Sequence, residues 1–116
     1  MSVIMDRARF EDLVGEALDL VPDQLAGWVD NCVVLVEDDP PPGQHLLGLY
    51  EGIPLTERDS SYGFVLPDRI TIFRNPILAM CHNEAEVVDQ VRITVVHEIA
   101  HHFGIDDDEL DELGYG

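Results

Sequence analysis

No lysine occurs anywhere in this chain. Its positive charge rests on six arginines, which face 24 acidic residues for a formal net charge of −18 over 116 residues. Nucleic acid and anionic membranes are held by lysine and arginine meeting phosphate, so a surface this acidic argues against both as partners. Cysteine is scarce too. Cys32 and Cys81 lie far apart and outside any CxxC pair, so they are expected as small core hydrophobes in a reducing compartment. A long apolar run is also missing, and no window approaches the length of a membrane span. Asp6, Glu11, Asp12 and Glu16 interrupt an amino terminus that a secretory leader would keep apolar. The expectation is a cytoplasmic protein, monomeric by default, without an internal repeat.

What is present suffices for one modest core. Apolar residues make up 46% of the chain, and its length suits a single domain over residues 1–116. Phe10, Leu13, Val14, Ala17, Leu18 and Val21 recur at three- and four-residue steps, which predicts a first helix over Arg7 to Leu20. Pro22 blocks its continuation, and Gln24 to Trp28 form at most a short helical turn. Cys32 to Val36 reads as a buried strand, closed by the loop Glu37-Asp38-Asp39-Pro40-Pro41-Pro42-Gly43. Leu46 to Tyr50 and Ile70 to Phe73 are two further strand candidates, the second ended by Asn75-Pro76. Asn83, with Glu86 three residues on, makes a capping-box start for a long helix that runs to Phe103 and ends at Gly104. A short helix over Asp108 to Leu113 closes the chain. Helix, strands, helix implies an α+β domain, in which a small mixed sheet packs against an amino-terminal helix and a long site-bearing helix.

The long helix carries the chemistry. His97-Glu98-Ile99-Ala100-His101 spells HExxH. Two imidazoles four residues apart share one helix face and can reach one metal ion. Glu98 points about 100° round from His97, off the ligand axis, where a carboxylate can take a proton from metal-bound water. Val87, Val91, Val95, Ile99 and Phe103 form an apolar ladder, with Ile93 and Ala100 on another side. Gln90, Thr94, His97 and His101 make a polar seam between them. Two histidines leave a catalytic zinc short of one protein ligand. Gly104 lets the chain reverse and Asp107 follows three residues later, so Asp107 ranks first as the third ligand. Asp106, Asp108, Glu109 and Glu112 are its rivals. His102 falls on a different face and is expected as a partly buried structural histidine, while His45 and His82 fall in loops. Tyr50, Tyr62 and Tyr115 are expected as core or surface aromatics.

The pattern HExxHxxGxxD over His97 to Asp107 resembles the minimal zincins, small single-domain bacterial proteins of metallopeptidase type. Leu46 to Thr56 (LLGLYEGIPLT) and Leu66 to Phe73 (LPDRITIF) are similar to segments that precede the site helix there. The resemblance implies a zincin-like fold, one zinc ion held by His97, His101 and Asp107, and Glu98 as general base. It also implies a peptide or unfolded protein segment as substrate, lying extended along Ile70–Phe73 or Leu46–Tyr50 as edge strand. Metzincins place histidine where Asp107 stands, and no counterpart of the far wall of the larger zincins' cleft is expected. The alternative is therefore a non-catalytic metal-binding or interaction module that retains the site. A two-histidine, one-carboxylate set also accepts nickel, cobalt or manganese.

Overall fold

The computed structural model of the protein describes residues 2–30, 32–52, 68–112 and 114. It is an α+β structure with five helices and three strands among those residues. Helix α1 (Arg7–Asp19) starts where Asp6 accepts the Arg9 backbone N–H, and it buries Phe10, Leu13, Val14 and Ala17 on one stripe. Helix α2 (Asp23–Asp30) follows, a full two turns where only a short turn is expected from the sequence. Strands β1 (Cys32–Glu37), β2 (Gly48–Glu51) and β3 (Asp68–Phe73) come next. Helices α3 (Arg74–Met80), α4 (Glu84–Phe103) and α5 (Asp107–Glu112) complete the chain.

The sheet order is β1-β3-β2, with β1 parallel and β2 antiparallel to β3. Strand β3 is therefore central, which removes Ile70–Phe73 as an edge for an extended substrate. Among the described residues, the outer strand on the α4 side is β2. Side chains alternate across the sheet. Val36, Tyr50, Ile70 and Ile72 point into the core, whereas Val33 and Leu35 are 42% and 40% exposed. Strand β1, expected to be buried, is thus covered on one face only. The other face of the sheet carries a groove of about 520 Å³, lined in part by Leu35, Leu49, Phe73 and Pro40–Pro42.

Helix α3 also departs from expectation. Asn75-Pro76 does end β3, but it does so by opening a helix. Proline is tolerated in a first turn, where its missing N–H has no intrahelical partner to lose. Phe73 offers no side-chain cap, so a neighbouring bend holds the helix start instead. The Asn75 N–H donates to the Asp38 carbonyl at 2.9 Å, its side chain donates to Asp39 at 3.0 Å, and Arg74 meets Asp38 at 3.0 Å.

Helix α4 lies against the core on most of its circumference, with Val87, Val91, Val95, Val96, Ile99 and Ala100 fully buried. Its first turn is bound tightly. Asn83 Oδ1 accepts the Glu86 N–H at 2.9 Å, and Glu86 reaches back to the backbone N–H of His82 at 3.1 Å. The capping box is present, displaced by one residue on its return arm. Arg9 on α1 makes a two-pronged contact with Glu84 at 2.7 and 2.8 Å, fastening the two helices together. Gly104 ends α4 in the left-handed conformation (φ 72°), where a side chain would be strained, and both it and Ile105 donate to the Ala100 carbonyl.

Candidate metal centre

Two contacts fix how α4 presents its polar residues to the sheet. A Cβ added to Gly48 would stand 2.7 Å from the Thr94 methyl and 3.2 Å from the Thr71 carbonyl oxygen, so helix and strand meet here with only a hydrogen between them. Two turns on, the His102 ring stacks on Tyr50 with centroids 4.0 Å apart, and a Cβ on Gly52 would stand 2.9 Å from that ring. Thr94 and His102 therefore both face β2. Residues four apart share a stripe, so Glu98, midway between them, lies on the row that follows this strand.

His97 and His101 occupy the adjacent row. His97 is half-buried and His101 exposed, so the seam opens toward solvent as α4 leaves the core. Farther back, Gln90 Nε2 donates to Thr94 Oγ1 at 3.3 Å and Thr94 is only 6% exposed, so the polar seam begins inside the protein. The arrangement offers two imidazole donors and a neighbouring half-buried carboxylate. Of the expected ladder, Phe103 is the exception: it is 42% exposed and packs edge-on against Tyr50 at 5.7 Å.

Asp107 is the first residue of α5, and its side chain lies outside what is described. Its rival Asp106 is already engaged, since Asp106 Oδ1 accepts the Glu109 N–H at 2.9 Å in the manner of a helix cap. Asp108, Glu109 and Glu112 are exposed along α5. Among the described residues, no three His, Cys, Asp or Glu side chains form a group that could hold a metal ion. Two donors of the expected set are nonetheless in place on one row of α4. Their chemistry suits zinc, which takes imidazole nitrogen readily.

His102 departs from expectation. It is exposed rather than partly buried, and its ring stacks on Tyr50 of β2. Tyr50, 9% exposed, is a core aromatic with a polar end: its hydroxyl donates to Asp68 Oδ2 at 2.5 Å and accepts from Cys32 Sγ at 3.5 Å. Sequence reasoning missed this cluster. The available signal was the alternation in β2, which sends Tyr50 to the same face as Gly48. His45 and His82 are exposed as expected, with His82 bonded to Glu86. Tyr62 and Tyr115 lie outside the described residues. Cys32 and Cys81 are both thiols rather than a disulfide pair, and burial pushes the Cys81 thiol up, keeping it a protonated core group. Each of the five described arginines meets a carboxylate, in the pairs Arg7–Glu11, Arg9–Glu84, Arg69–Glu51, Arg74–Asp38 and Arg92–Asp89.

An HExxH helix laid against the outer strand of a small α+β sheet defines a zincin-type arrangement. The sequence profile of the zincin-like metallopeptidases matches residues 29–116, and the chain belongs to that family. Among solved structures it is similar to a conserved hypothetical protein from Thermus thermophilus. The TM-score is 0.55 at 24% identity, over 85% of this chain and 94% of that one, which supports the shared fold. No curated protein matches the chain. Among the described residues, no helix is long and apolar enough to cross a membrane.

Proposed function

We propose that the protein is a zinc-dependent peptidase, with His97, His101 and Asp107 holding the ion and Glu98 acting as general base. The observation that supports this reading is that Thr94 and His102 both meet β2, since Glu98, four residues from each, then belongs to the helix row beside that strand. A peptide laid along the outer edge of β2 would pair through its backbone, a mode that gives affinity with little sequence preference. Its scissile bond would then pass beside Glu98. When bound, zinc polarises the carbonyl and acidifies a water. Glu98 accepts that water's proton on a carboxylate oxygen and returns it to the leaving amine.

A non-catalytic metal-binding module is the second reading. One observation favours it: with a formal net charge of −18, the surrounding acidic field makes a metal-bound water harder to deprotonate. The test is elemental analysis of protein purified without chelator, paired with assays of the parent chain and Glu98→Gln on unstructured peptides. About one zinc per chain, with cleavage lost in Glu98→Gln, supports the peptidase. Zinc without cleavage by either form supports the module, and no uptake of added zinc sinks both.

A further inference from the structure

The last turn of α4 carries His101 away from the core, yet that turn is not loose. Three aromatic rings fasten it. The His102 imidazole lies on the Tyr50 ring at 4.0 Å with 30° between planes, while Phe103 meets Tyr50 edge-on at 5.7 Å and His102 at 4.9 Å. Tyr50 is itself anchored at its far end by Asp68 at 2.5 Å, one strand over on β3. Two strands of the sheet thus grip the helix end through one side chain. The glycines on either side of Tyr50 belong to the same device. Gly48 lets the helix approach the strand, and Gly52 leaves room for the His102 ring, which a Cβ there would meet at 2.9 Å.

We infer that Tyr50 is a positioning residue for the metal centre: held by Asp68, it stacks on His102 and so fixes the helix turn that aims His101. This rests on the reading of His97 and His101 as ligands. A ligand on a frayed helix end spends binding free energy on being ordered, whereas a ligand on a clamped turn is already in place. His102 binds no metal in this scheme. It is the handle by which the sheet holds its neighbour, a role for which any flat ring serves.

His102 is exposed, so His102→Ala tests the clamp without opening the core. In the metal-free protein, amide hydrogen exchange at His101 to Ile105 should quicken roughly tenfold in His102→Ala, while exchange at Val91 and Val95 stays as in the parent. Zinc affinity, read by competition with a chromophoric chelator, should fall roughly tenfold, the lower end for groups that orient ligands. The d–d spectrum of the cobalt-loaded protein should shift as well. His102→Phe should restore all three readouts, because it keeps the stack. Tyr50→Phe should keep the stack but lose the Asp68 anchor, giving an intermediate result. Unchanged exchange in His102→Ala overturns the clamp whether or not metal binds. Faster exchange with unchanged zinc affinity and cobalt spectrum overturns the positioning role. A parent chain that takes up no zinc overturns the reading of the site and the positioning role together, leaving the exchange data as the measure of the clamp.

Discussion

The two ends of α4 are built on opposite plans. Its first half is held by the Asn83–Glu86 cap, the Arg9–Glu84 contact and the fully buried Val87, Val91 and Val95. Its last turn carries His101, His102 and Phe103, all exposed, and meets the sheet through stacked and edge-on rings. The same helix is therefore a core element at one end and a site at the other. The burial of the first half supplies the rigidity that lets the second half carry imidazoles in solvent.

Matched substitutions at the two ends should break the comparison most visibly. Val91→Asp buries an unpaired carboxylate where exposure is 0%, and should cost more than about 4 kcal/mol, enough to unfold the chain. His101→Asp, at an exposed position, should shift stability by about 0.5 kcal/mol and abolish metal binding. Urea unfolding curves for the two variants check this directly. Equal losses would mean that the exposed end is as integral to the core as the buried one.

Metal should narrow the difference. Zinc at about 100 times its dissociation constant should add roughly 2.7 kcal/mol, seen as a rise of several degrees in the thermal midpoint. His97→Ala should remove that rise, so that its midpoint is the same with and without zinc. Differential scanning calorimetry with and without chelator distinguishes the two contributions.

Where α4 meets β2, Gly48→Ala should cost about 1–3 kcal/mol, because the new methyl would stand 2.7 Å from Thr94 and 3.2 Å from the Thr71 carbonyl. Adding Thr94→Ala should recover part of that loss, with the remainder set by the carbonyl, which does not move readily. A double-mutant cycle in urea gives the coupling. Simple additivity would mean that helix and strand do not meet here.

The smallest effect concerns the capped end. The His82 side chain, followed by its backbone N–H, holds the Glu86 carboxyl below the usual glutamate value. A carboxyl whose value is lowered on folding adds stability above its unfolded value, and that stability is lost as pH falls through the lowered one. The Glu86 contribution should therefore be intact at neutral pH and fade below about pH 4, within the acid arm of the stability profile. Glu86→Gln should shallow that arm slightly and leave the neutral region's slope alone. An acid titration of the thermal midpoint in parent and variant reads the difference.

The bounds of α4 were legible because each of its signals acts within one turn. Asn83 and Glu86 mark the start and Gly104 the end, and the structure places them at those positions. The HExxH spacing was legible for the same reason, since the histidine spacing follows from helical geometry alone. Helix α3 was not. Asn75-Pro76 is equally a strand end and a helix start, and what selects the helix is the bend at Asp38 and Asp39, 36 residues back in the chain. Strand β1 was misjudged for a related reason. Its run of apolar residues does not say which face is covered, and here Val33 and Leu35 face away from the helices.

The sequence by itself determined the site helix, its two imidazoles, its carboxylate and the acidic surface, because these depend on composition and on contacts a few residues apart. Only the tertiary structure decided that β3 lies between β1 and β2, and that Gly48 admits α4 to the sheet. It alone brought Tyr50, Asp68 and His102 together. Strand order and ring stacking close loops of tens of residues. Whether such closures form depends on the burial of the whole core, which no local pattern encodes.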